Sequence, residues 1–180
     1  MTGREGKTGR TMFVGIDPGT NKSAPGGVAL VDDWAGYVDG FRMPIRGRGS
    51  KTVVNGDELR DRLSDWATRH QLATVTVEQV GSRPGEGIGS AFAFGHAAGI
   101  PEGIAIGLGL VVKLVTPSVW KRALEIPGKT IDSTAGLEAA RRFWPDAPLK
   151  FKADGGIADA LLIARYGLAV WSRGRRARCA

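Results

Sequence analysis

Four carboxylates in this chain lie where one metal site can gather them. The first is Asp17, in Met12-Phe13-Val14-Gly15-Ile16-Asp17-Pro18-Gly19-Thr20. An apolar run ends there on an acid and then breaks into Pro-Gly, the pattern of a buried strand stopped by a turn. Taken alone, Asp17 reads equally as a turn aspartate. The second is Glu78, closing the β-branched run Val75-Thr76-Val77-Glu78. The third is Asp159, an acid set among Ala, Leu and Ile in Ile157-Ala158-Asp159-Ala160-Leu161-Leu162. An acid in such apolar company needs a cation or a donor. The fourth is Asp154, in the loop Lys152-Ala153-Asp154-Gly155-Gly156, either a fourth ligand or the N-cap of the helix that follows. Acids collected from element ends are how a protein holds divalent metal for phosphodiester chemistry. Hard oxygen ligands, with no nearby Cys or His, suit Mg²⁺ or Mn²⁺ rather than zinc.

The elements that must position these groups follow from the hydrophobic pattern. Strands are expected over Met12–Asp17, Gly27–Val31 and Tyr37–Met43, joined by turn-forming Pro25-Gly26-Gly27 and Asp32-Asp33 as an antiparallel meander. Ile45 to Thr52 reads as a basic, Gly-rich loop. A helix capped by Asn55 or Asp57 runs to about His70, with Leu59, Leu63 and Trp66 at helical spacing. Leu72 to Val80 is a strand, Gly81 to Gly89 a loop, Ser90 to Leu108 a helix of small residues, and Leu110 to Val115 a strand. Thr116-Pro117-Ser118 starts a short helix through Trp120. A further helix opens at Thr130 or Asp132 and closes near Trp144, and the last spans about Gly156 to Arg173. Strands and helices in this order give an α/β fold with a mixed sheet. Residues 1–11 are expected to be a disordered tail, 12–172 one domain, and 173–180 a mobile basic tail.

Composition narrows the class. The chain has 180 residues, 42% hydrophobic and 24% charged, which is enough for one domain with a real core. Its net charge of +7 suits a polyanionic partner. No apolar run is long enough to span a bilayer, so no membrane role is expected. The charged, Gly-rich N-terminus carries no apolar core of a secretory signal. The single cysteine, Cys179, allows no internal disulfide, and a reducing, cytoplasmic setting is the simplest expectation.

Gly15-Ile16-Asp17-Pro18-Gly19-Thr20, Val77-Glu78-Gln79-Val80 and Ala158-Asp159-Ala160-Leu161-Leu162-Ile163-Ala164 together resemble the RuvC family of Holliday junction resolvases. Ser90-Ala91-Phe92-Ala93-Phe94-Gly95 and Thr116-Pro117-Ser118-Val119-Trp120-Lys121 look more like its bacteriophage branch than the cellular one. The resemblance implies an RNase H-like fold with a three-stranded antiparallel meander and two parallel strands. It also implies a homodimeric endonuclease that cuts four-way junctions and other branched DNA. Two Mg²⁺ ions, replaceable by Mn²⁺, would be held about 3.5–4 Å apart by Asp17, Glu78, Asp154 and Asp159. Lys121 falls where the family places a lysine on the scissile phosphate. A second family lysine falls near Asp132 here, and Lys129 is expected to serve in its place. Cellular members carry a stacking aromatic where this chain has Gly81, and its loop offers Arg83 instead. Arg46, Arg48, Lys51, Arg83, Lys121 and Lys129 are the expected DNA contacts, the loop at Arg46–Lys51 foremost. Small residues along Ser90–Leu108 would let two copies pack closely. Two other classes remain as alternatives: a non-catalytic module binding branched DNA, and an actin-like phosphotransferase. The latter has a similar Gly-Ile-Asp-Pro-Gly-Thr loop but needs two such domains.

Overall fold

The computed structural model describes residues 9–47, 52–79, 81, 87–127 and 134–178. A five-stranded sheet forms the centre, ordered β3-β2-β1-β6-β7. Strands β1 (Thr11–Thr20), β2 (Pro25–Asp32) and β3 (Tyr37–Arg42) are antiparallel neighbours. Strands β6 (Gln71–Glu78) and β7 (Val112–Val115) continue the sheet in parallel with β1. The meander is the one expected from the hydrophobic pattern, and the two parallel strands are those the resemblance implied.

Side chains alternate across a strand, so the two faces sort by parity. Met12, Val14, Ile16, Val28, Leu30, Val75 and Val77 point to one face, where α1 (Gly56–Arg69) and α2 (Ile88–Gly107) cover them. Phe13, Ala29 and Val31 point to the other. There they meet α3 (Pro117–Ala123), α4 (Ala135–Phe143) and α5 (Gly155–Arg178). Asp17 shares parity with Phe13, and both belong to the α5 side.

Helix α5 lies unusually close to the sheet. A Cβ at Gly15 would collide with the backbone of Ala160 and Ala164. Gly27 and Gly156 likewise leave no room for a side chain between β2 and the first turn of α5. Glycine at these positions lets backbone meet backbone.

Several boundaries differ from the expected ones. Strand β1 continues past Pro18 to Thr20, because its hairpin with β2 resumes at Thr20–Pro25 after an irregularity beyond Asp17. Pro18 has no N–H to give the ladder, and the Gly19 N–H turns instead to Asp17 Oδ1 at 3.0 Å. Ile45 and Arg46 do not lie in a plain loop but form β4, paired with β5 (Val53–Val54). Asn55 is the N-cap of α1, yet its side chain makes no capping bond and donates to Glu58 Oε2 at 3.3 Å. Helix α4 is described only from Ala135, so the proposed starts at Thr130 and Asp132 lie outside the described residues. Arg173 to Arg178, set apart above as a tail, are the last turns of α5, with Arg175 over the Trp171 ring. No helix among the described residues is long and apolar enough to cross a membrane.

Candidate active site

Strand register accounts for the first meeting of carboxylates. Ile16 pairs with Val77 on the parallel strands β1 and β6. One residue further, Asp17 and Glu78 stand side by side where the β1–β6 pairing ends, on the face that α5 covers. The close approach of α5 at Gly15 then sets Asp159, one residue before Ala160, above Asp17. Glu78 pairs with Val115 at the end of β7, so α3 begins immediately beside it.

The electrostatics show how closely these groups are coupled. Asp17 and Asp159 keep part of their surface open, but both sit in a cleft crowded with protein. Burial, with the charges of Glu78 and Asp159, pushes the Asp17 carboxyl up to about 7; the Gly19 N–H and Lys121 act against that. Burial also raises Asp159 to about 6, with Lys121 opposing and Glu78 adding to the shift. Like charges in a desolvated cleft disfavour ionisation, and a cation would reverse the effect. Glu78 Oε1 accepts a hydrogen bond of 2.8 Å from the indole Nε1 of Trp120. The Lys121 ammonium lies 5.1 Å from the centre of the same indole ring.

Asp154 has a different setting. Its Oδ1 takes the Arg42 guanidinium at 2.7 Å, and its Oδ2 accepts the Phe151 N–H at 2.8 Å. Burial works to raise its pKa, but Arg42 and the backbone N–H groups outweigh it, and the net shift is downward. Glu78, Asp159 and Lys121 act on Asp17, and Lys121 and Glu78 act on Asp159. Asp154 ties the turn before α5 to the end of β3.

Asp17, Glu78, Asp159 and Lys121 are thus electrostatically coupled, while Asp154 is paired with Arg42. Among the described residues, no group of three or more His, Cys, Asp or Glu side chains is gathered as a ready metal-ligand set. The donor set itself, three mutually repelling hard-oxygen groups with two raised pKa values, fits a divalent cation. Of the expected DNA contacts, Arg46 is exposed, 3.9 Å from Asp57. Arg48, Lys51, Arg83 and Lys129 lie outside the described residues.

Three contributors escaped the sequence reading. Trp120, with no exposed surface, supplies the donor to Glu78. Gly136 of α4 sits where a Cβ would strike Asp159 Oδ1. Arg42 holds Asp154. Only Trp120 left a signal, as an indole directly preceding the lysine already singled out.

No family model matches the chain, and no curated protein matches it. Its fold is similar to that of T. thermophilus RuvC in complex with Holliday junction substrate, with a TM-score of 0.62 at 19% identity over 91% of this chain and 95% of that one. A second Thermus thermophilus RuvC structure superposes with a TM-score of 0.52 at 19% identity, over 88% of this chain and 94% of the other. The chain has the RNase H-like fold, its mixed sheet flanked by helices on both faces.

Proposed function

We propose that this protein is a divalent-metal-dependent endonuclease that cuts four-way junctions and other branched DNA as a homodimer. The observation that carries the reading is the convergence of Asp17, Glu78 and Asp159 with Lys121 at the ends of β1 and β6. In an RNase H-like fold such a cluster suits phosphodiester hydrolysis. Asp17, Glu78 and Asp159 would hold Mg²⁺ or Mn²⁺, two ions per site in our reading. When bound, these supply activation of a water and stabilisation of charge on the leaving oxygen. Lys121 brings a positive charge to the same cleft, placed to meet a phosphate oxygen as charge develops on it. The Gly19 N–H fixes the Asp17 rotamer through Oδ1. We assign Asp154 a structural part, anchoring the start of α5 and through it Asp159.

The dimer would form on α2. Ile88 is 91% and Phe92 77% exposed there, and Cβ atoms at Gly95, Gly99 and Gly103 would meet nothing. Large apolar side chains beside small ones make a surface that a second copy can cover. Arg46, Arg48, Lys51, Arg83, Lys121 and Lys129 are the proposed phosphate contacts. The Thr116–Lys121 and Ser90–Gly95 motifs favour the bacteriophage branch, acting in the cytoplasm of a bacterial host.

The test is cleavage of an end-labelled four-way junction. Cutting should require Mg²⁺ or Mn²⁺ and vanish with a chelator. Cutting that persists without metal, or no cutting of any branched substrate, would overturn the reading.

A further inference from the structure

We propose that Trp120 is a positioning residue for the metal site, aiming the Glu78 carboxylate through its indole N–H while its ring face steadies Lys121. This rests on the metal-dependent reading above. Trp120 is completely buried, yet its one polar atom is spent on a carboxylate of the cleft rather than on backbone. A buried indole needs a partner for its N–H, and a charged acceptor makes the bond stronger and more directional. Glu78 reaches the site on three rotatable bonds, and the indole bond of 2.8 Å favours one of its orientations. On the same helix, one residue on, the Lys121 ammonium lies within cation–π range of the ring, at 5.1 Å. One side chain of α3 thus touches both Glu78, at the end of β6, and Lys121. Helix α3 has only seven residues, and Trp120 is the residue that buries it in the core beneath α4 and α5.

Trp120→Phe keeps the ring and most of the packing and removes the N–H. We expect Mn²⁺ binding to the full chain, measured by calorimetry, to weaken about tenfold, the lower end of what loss of such a supporting group costs. In a Glu78→Ala background the same change should have no further effect, because the path through Glu78 is gone. Unchanged Mn²⁺ affinity in folded Trp120→Phe, or an equal loss in the Glu78→Ala background, overturns the inference and leaves the nuclease reading standing. A wild type that binds no Mn²⁺ overturns both. The wild type also provides a readout that needs no Trp variant. Its Trp120 indole N–H proton resonance should lie downfield, move on titration with Mg²⁺, and return to the free-indole position in Glu78→Ala. A resonance that ignores both changes counts against the inference in the same way.

Discussion

Asp17 is the residue on which most of the site's chemistry turns. Asp17→Asn would remove one proposed metal ligand and one negative charge from a crowded site. Cleavage of a four-way junction should fall by at least about a hundredfold, while gel shifts should show equal or tighter binding, because a charge facing phosphates is gone. Loss of both activities in a folded variant would contradict this. The same carboxyl predicts a pH dependence. With folded-state values of about 7 for Asp17 and about 6 for Asp159 against 3.8 for an ordinary aspartate, the metal-free folded chain binds more protons than the unfolded one between roughly pH 4 and pH 7. Stability then falls as pH rises across that window. Thermal melts without metal should show a higher Tm at pH 5 than at pH 8. Asp17→Asn should flatten the difference, and millimolar Mg²⁺ at pH 8 should restore most of the lost stability. A metal-free Tm that rises from pH 5 to pH 8 sinks the account of these two carboxyls.

Elements bring these residues within reach, and glycines decide how near. Gly136 of α4 leaves room for the Asp159 carboxylate, which a methyl there would displace. The obstacle is the tip of a side chain rather than backbone, so the chain can yield without unfolding. Gly136→Ala should therefore cost at least about tenfold in cleavage rate with little change in Tm. A variant with full activity would show that Asp159 tolerates the shift. On α2 the prediction reverses, because a Cβ at Gly95 meets nothing in the single chain. Gly95→Leu should leave the fold and Tm of the monomer intact and convert a dimer to a monomer in light scattering, by overpacking the shared face. A wild type that is already monomeric removes the α2 interface from the proposal.

Across the whole molecule, charge and the loop after β6 set the expected substrate range. The net charge is +7, and Gly81 stands where the resemblance implies a stacking ring in cellular members of the family. Binding that rests on phosphate contacts should weaken steeply with salt, and flaps, forks and four-way junctions should be cut at comparable rates. A Cβ at Gly81 would meet nothing within 4 Å among the described residues. In Gly81→Phe, a ring there should shift preference toward four-way junctions, a stacked base being worth about 1–3 kcal/mol. If the wild type spares flaps and forks altogether, the inference from the missing ring fails.

The order of elements and the meander were legible along the chain, because each depends on local periodicity and turn chemistry; the parallel pair was expected only through the family resemblance. Asp17, Glu78 and Asp159 stood out as candidates for a related reason: an acid that ends an apolar run, or sits inside one, is conspicuous in one dimension. Tertiary structure alone decided which acids meet. Asp17 and Glu78 become neighbours through a strand register, and Asp159 joins them because Gly15, Gly27 and Gly156 let α5 settle onto the backbone of the sheet. Asp154, only five residues from Asp159, is turned away to Arg42 on β3, 112 residues earlier in the chain. Trp120 and Gly136 owe their parts wholly to contacts across the fold, where distance along the sequence carries no information about distance in space.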